Sequence, residues 1–187
     1  MTTATDILIR DVSDILVRDV SDIDLPAIQE IYAHHVRHGL ASWEETPPDL
    51  AEITRRRDAI VGDGYPYRVA LVEGRVAGYA YVGKYRPRPA YRHTVENSVY
   101  IAENRVGGGI GTRLLDDLIA TCTAIGLRRM VGIIGDSANH ASIALHKKAG
   151  FEMVGIIPSC GFKAGHWLDQ VIMQRSLGPG ETTPPDS

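Results

Sequence analysis

Long apolar runs are missing from this chain of 187 residues. None approaches the roughly 20 residues that cross a bilayer, so no membrane-spanning helix is expected. A basic excess is missing too. Twenty Lys and Arg stand against 23 Asp and Glu, for a net charge of −3, with a pI near 6.1. Nucleic acids and anionic membrane surfaces call for the opposite balance, so neither is expected as a partner. Cysteine is scarce: Cys122 and Cys160 lie far apart and in no metal-ligand spacing. That argues against a disulfide framework and against a metal site. Two reduced thiols in a cytoplasmic protein are the expectation. The first apolar stretch carries charges and lacks the core of a signal peptide.

What is present is a chain with 44% hydrophobic residues, enough for one sizeable core and one domain. An eight-residue unit, Ile7 to Asp14, is repeated at once as Ile15 to Asp22, differing only at Ile9 against Val17. Two short copies do not make a solenoid. Only the second leads directly into a helical pattern, with Asp24 as a cap, Pro26 in the first turn, and Leu25, Ile28, Ile31 or Tyr32, and Val36 on one face. The second copy is therefore expected to form the first strand. Residues 1–14 are expected to be an extension, 15–177 the domain, and 178–187 a disordered Gly/Pro/Thr-rich tail.

A second helix is expected after Asp49, running to about Val61. A hairpin follows, Tyr67–Val72 and Arg75–Gly83 about Glu73 and Gly74. Lys84 to His93 is a basic, tyrosine- and proline-bearing loop. From Val95 to Ile101 the residues alternate, with Val95, Asn97, Val99 and Ile101 on one side and Glu96, Ser98 and Tyr100 on the other. A helix with Leu114, Leu115, Leu118, Ile119 and Cys122 on one side comes next. Then come a strand (129–134), a short helix (141–149) stopped by Gly150, and two strands (152–157 and 170–177). Interleaved strands and helices with one early hairpin predict an α/β fold, a mixed sheet flanked by helices.

Between strand and helix lies Gly107-Gly-Gly-Ile-Gly111. Glycines let a backbone approach an anion, and free N–H groups open the helix behind them. A phosphate-binding P-loop needs Gly-Lys-Ser/Thr, and Gly111 is followed directly by Thr112. A dinucleotide fingerprint needs a third glycine where Thr112 or Leu114 stands. A different phosphate-bearing ligand, or a turn with no ligand at all, remains.

Arg105-Val-Gly-Gly-Gly-Ile-Gly111-Thr-Arg-Leu-Leu115 resembles the pyrophosphate loop of the GNAT acetyltransferases, Gln/Arg-x-x-Gly-x-Gly/Ala. Gly109 and Gly111 match. Val106 occupies the Gln/Arg position, with Arg105 one residue early. Three further segments, Tyr91 to Ile101, Gly135 to His146 and Gly161 to Asp169, resemble signatures of the phosphinothricin and methionine sulfoximine acetyltransferases within that family. The resemblance spans about residues 15–177. It implies a GNAT fold with a twisted mixed sheet, acetyl-CoA as co-substrate, and direct transfer of acetyl to the amino group of a small amino acid or analogue. It also implies a homodimer. Another amine acceptor, such as a peptide N-terminus or an antibiotic, and a non-catalytic acetyl-CoA-binding module are the alternatives.

Amine acetylation needs a base for the ammonium, donors for the carbonyl oxygen and a proton or dipole for the departing thiolate. Glu96 is the candidate base, since a lone carboxylate in an apolar strand is costly unless exposed or partnered. By its resemblance His146 is the second catalytic candidate; a surface histidine near a helix C-terminus is the plainer reading. The resemblance assigns the coenzyme to Ser98, Val99, Tyr100 and Ile101, to Val106, Gly107, Gly108, Gly109, Ile110, Gly111 and Thr112, and to Asn139 and Ser142. The acceptor is expected at Trp43, Tyr85, Arg86, Pro87, Arg88, Tyr91, Val95 and Asn97. Arg86 and Arg88 could hold an acidic head by forked hydrogen bonds, or could simply be solvated.

Overall fold

A computed structural model describes residues 14–185. The first copy of the repeat, apart from Asp14, lies outside the described residues. The second copy provides strand β1 (Ile15–Asp19). Helix α1 (Leu25–His38) follows, with Leu25, Ile28, Ile31, Tyr32 and Val36 buried as the spacing demands. Asp24 does not cap α1 with its side chain. Its buried carboxylate instead accepts two hydrogen bonds from Arg18, at 2.7 and 2.8 Å, and two from Ser21. Burial alone would raise its pKa, but those donors outweigh it and hold the carboxyl below its usual range.

Helix α2 (Leu50–Gly62) is capped by Asp49, whose Oδ1 accepts from the Glu52 N–H at 2.8 Å. Strands β2 (Tyr67–Val72) and β3 (Arg75–Lys84) form the expected hairpin. Glu73 and Gly74 both have positive φ, the backbone a tight two-residue hairpin turn requires. Then come β4 (Thr94–Ile101), α3 (Ile110–Ala124), β5 (Arg129–Gly135) and α4 (His140–Lys148). Two long strands, β6 (Glu152–Lys163) and β7 (His166–Ser176), close the domain. They exceed the short strands expected, because register shifts at Met153/Gly155 and Ile157/Gly161 break the alternation on which the sequence reading relied.

The sheet runs β1-β2-β3-β4-β5-β7-β6. Every neighbouring pair is antiparallel except β4 and β5, which are parallel and joined through α3. One face packs on α3 and α4 through Val82, Val95, Leu114, Leu115, Leu118 and Met130. The other packs on α1 and α2 through Ile28, Val36, Ile53, Val69 and Tyr79. The tail was expected to be disordered. Its described part folds back, with Glu181 paired to Arg129 at 2.6 Å and Pro184 accepting from Arg128 at 3.1 Å. Among the described residues no helix is long and apolar enough to cross a membrane.

Candidate active site

The parallel pairing of β4 and β5 stops at Asn97 and Gly132. Yet β4 runs on to Ile101, paired only with β3, and β5 to Gly135. The two strands part, and the β5-facing edge of Ser98 to Ile101 is open. A cleft of about 570 Å³ occupies the gap. Ser98, Val99, Tyr100, Ile101, Val106, Gly107, Gly109, Ile110, Gly111, Thr112, Asn139 and Ser142 all line it. Of the expected coenzyme residues, only Gly108 is not among its walls.

At one end of the cleft α3 begins. Gly109 takes a left-handed conformation, φ 79°, and no side chain caps the helix. The first bond within the helix is donated by the Arg113 N–H, so Ile110, Gly111 and Thr112 lack helical acceptors for their amides. Such a helix start is an anion site. Gly111 also lets α4 pack closely, since a Cβ there would lie 3.2 Å from Leu145. Val106, at the motif's Gln/Arg position, is 67% exposed. Arg105 compensates. It lines the cleft, and its Nη1 is buried with no hydrogen-bond partner. Its nearest carboxylate, on Glu73, stays 3.6 Å from Nη2. A glycine-led helix start with three free amides suits a phosphate oxygen, and Arg105 brings a cation to the same cleft, so the residues present fit a phosphorylated coenzyme.

Strand alternation divides β4 by face. Glu96, Ser98 and Tyr100 turn toward α1 and α2, while Val95 and Asn97 turn toward α3 and α4. Around Glu96 the sheet offers Gly83 beside it on β3 and Tyr81 two residues further. Glu96 is partly buried, and burial raises its carboxyl above the usual range; Arg86 partly opposes this. Arg86 lies over the Tyr85 ring at 4.5 Å, and Tyr85 meets Tyr91 edge-on at 5.8 Å. Arg88 and Pro87 are exposed on the same loop. Tyr81 also walls a second hollow of about 260 Å³ with Tyr32, Tyr67 and Tyr79.

His146 reaches the cleft from the opposite face. It is 4% exposed. Its Nδ1 donates to the Ser142 carbonyl at 2.8 Å, and its Nε2 lies 3.0 Å from Asn97 Oδ1. Asn97 in turn donates to the Val131 carbonyl at 3.0 Å. The Ser142 carbonyl at Nδ1 favours the imidazolium. Burial opposes it and wins, so the pKa is lowered. Room for the ring comes from Gly132, where a Cβ would stand 2.8 Å from His146 Cδ2.

The family profile for the acetyltransferase (GNAT) domain matches residues 17–172. The chain belongs to the GNAT acetyltransferases. This GNAT chain is 51% identical to a phosphinothricin N-acetyltransferase from Alcaligenes faecalis over 163 residues, 87% of the chain and 83% of that relative. It is 45% identical to an L-methionine sulfoximine/L-methionine sulfone acetyltransferase from Pseudomonas paraeruginosa, over 86% of the chain and 94% of the relative. In three dimensions it matches a GNAT superfamily phosphinothricin acetyltransferase from Sinorhizobium meliloti, solved with AcCoA. There the TM-score is 0.91 and the identity 47%, covering 93% of this chain and 94% of that one. The GNAT fold read from the sequence is thus the fold observed.

Two of the expected acceptor residues need correcting. Val95 is wholly buried against α3, and Asn97 is buried against His146. Adjacent strand residues cannot face one way, so neither side chain shares the face of Glu96. Trp43 does share it: a Cβ on Gly135 would meet its Nε1 at 2.6 Å, and one on Gly161 its ring at 2.7 Å. Arg105, Gly132 and His35 were not among the expected site residues. His35 lines the cleft and donates from Nε2 to the Ile101 carbonyl at 2.8 Å. Only Arg105, one place from its motif position, left a signal in the sequence.

Proposed function

We propose that this acetyltransferase moves the acetyl group of acetyl-CoA to the amine of a small amino-acid-like acceptor, of the phosphinothricin and methionine sulfoximine type. The carrying observation is the place of Glu96. It sits on the α1/α2 face beside the β4–β5 gap, with a raised pKa and within the field of Arg86. The names of the similar enzymes support that choice of acceptor.

The coenzyme, when bound, supplies an acetyl group activated as a thioester. The amides of Ile110, Gly111 and Thr112, with Arg105, would hold its phosphates. The open edge of Ser98 to Ile101 would pair with its amide-bearing arm, as an added strand pairs with a sheet edge. Amides on that edge near Val99 or Tyr100 would polarise the acetyl carbonyl. Glu96 takes a proton from the acceptor's ammonium, and burial makes it a stronger base than an ordinary carboxylate. Arg86 and Arg88 attract the acceptor's acidic end. As the C–S bond breaks, the attacked nitrogen must lose its second proton; His146, kept neutral by burial and lining the cleft, can accept it and return it to the departing thiolate sulfur.

The second subunit of a homodimer would cover apolar side chains exposed on β6 and β7, among them Phe162 and Trp167, whose rings meet at 5.2 Å; exposed apolar surface of this kind marks an interface. Two free cysteines suit the reducing cytoplasm. The test is turnover on a panel of amines, read as released thiol. Methionine sulfoximine and phosphinothricin should be acetylated well ahead of peptides with free N-termini and of aminoglycosides. Turnover confined to either of the latter would contradict the reading.

A further inference from the structure

Lys163 is a charged residue where a surface hairpin would be expected to turn it outward. Its neighbour Phe162 is 58% exposed, but Lys163 itself is 7% exposed. Its ammonium is wholly occupied. Nζ donates to the carbonyls of Val36 at 2.9 Å, Gly39 at 2.8 Å and Ser42 at 2.5 Å. Three N–H donors meet three acceptors, and all three belong to the end of α1 and the turn that follows it. A buried ammonium is costly unless so satisfied. The hairpin and the turn therefore hold each other.

That turn borders the acceptor face. Ala41 lines the coenzyme cleft. The Ser42 hydroxyl meets Tyr32 Oη at 3.1 Å, and Tyr32 Oη donates to Glu44 at 3.0 Å. Arg56 reaches the same Glu44 at 2.6 Å. Trp43 lies against Gly135 and Gly161, the latter two residues before Lys163 on the hairpin. Gly135, Val131 and Glu96 share one face of the sheet, by the β4–β5 register and the alternation of β5. Trp43 thus stands over the far end of the surface that carries the base.

We infer that Lys163 is a positioning residue for the acceptor, holding Trp43 and the Ser42–Tyr32–Glu44 chain as the wall that separates acceptor from coenzyme. The inference rests on the proposed acceptor site beside Glu96. It makes acceptor binding depend on the β6–β7 hairpin while leaving the phosphate end of the cleft independent of it. Methionine in place of lysine keeps the stem and removes the donors. Gly161→Ala disturbs the same wall without touching the ammonium, since the added Cβ would overlap the Trp43 ring.

The chain has two tryptophans, so Trp167→Phe leaves Trp43 as the only fluorophore of its kind. In that background Lys163→Met should raise acrylamide quenching of Trp43 about twofold or more. The KM for methionine sulfoximine should rise about tenfold or more, while the Kd for acetyl-CoA stays within about twofold. Gly161→Ala should do the same, testing the Trp43 wall apart from the ammonium; if Lys163→Met does not fold, Lys163→Gln, which removes the charge and keeps a donor, is read by the same outcomes. Unchanged Trp43 quenching, or equal weakening of both ligands, would overturn the inference. Absence of turnover on amino-acid analogues by the parent enzyme would instead overturn the acceptor assignment, and Trp43 quenching would still judge Lys163.

Discussion

Gly132→Ala should damage catalysis out of proportion to its size. The added Cβ would stand 2.8 Å from His146 Cδ2 and 2.9 Å from Nε2, so the ring must withdraw by about 0.6 Å to reach an ordinary contact of 3.4 Å. Retreat is opposed by the bond from Nδ1 to Ser142 and by Phe151, whose ring centroid is 4.9 Å away. Overpacking costs about 1–3 kcal/mol. For a domain of this size each kcal/mol is worth about 2–4 °C in Tm, so a fall of roughly 2–12 °C is expected. A displacement approaching 1 Å in a group that handles a proton can cost about 100-fold in rate. Scanning calorimetry and steady-state kinetics below the new Tm check both figures. Gly155→Ala, where a Cβ meets nothing within 4 Å, controls for the change of residue type. A variant with lowered Tm but parental kcat would refute a catalytic role for His146. Parental Tm as well would refute the packing.

Arg105→Ala removes a cation that lines the cleft; the Kd for acetyl-CoA, by calorimetry, should weaken about tenfold, the worth of one charge-assisted hydrogen bond, with acceptor KM little changed. Arg86→Gln removes the cation that pulls the Glu96 pKa down. The Glu96 pKa should then rise further, and the acid limb of the kcat/KM profile should move to higher pH; a move to lower pH would contradict the assignment of Glu96 as the titrating base. Acceptor KM should rise in the same variant if Arg86 holds an acidic head.

Local chemistry made much of the fold legible. The left-handed pair Glu73 and Gly74 announced the hairpin, Asp49 announced α2, and apolar spacing announced α1 and α3. The glycine loop showed the anion site because its function is a backbone property, which glycine reports directly. Alternation in β4 was legible too, and applying it strictly would have removed Val95 and Asn97 from the acceptor face. The parting of β4 from β5 left no mark in either strand, since it is set by where pairing stops. Gly132 reads as a plain strand glycine until His146, on another element, is seen against it. Lys163 is harder still: its three acceptors are main-chain carbonyls more than 120 residues away, and main-chain groups carry no sequence signal. The β6–β7 hairpin was underestimated because its register shifts interrupt the period of two.

The central claim is that Glu96 takes the proton from the acceptor amine. Glu96→Gln keeps shape and removes the base. General-base catalysis is worth about 10²–10⁴ in rate, so kcat for methionine sulfoximine should fall at least about 100-fold. Burial disfavours the charged carboxylate, and a neutral amide avoids that cost, so Tm should stay level or rise. Acetyl-CoA should bind as it does to the parent. Parental turnover by the folded variant, with acetyl-CoA bound as before, would contradict the account.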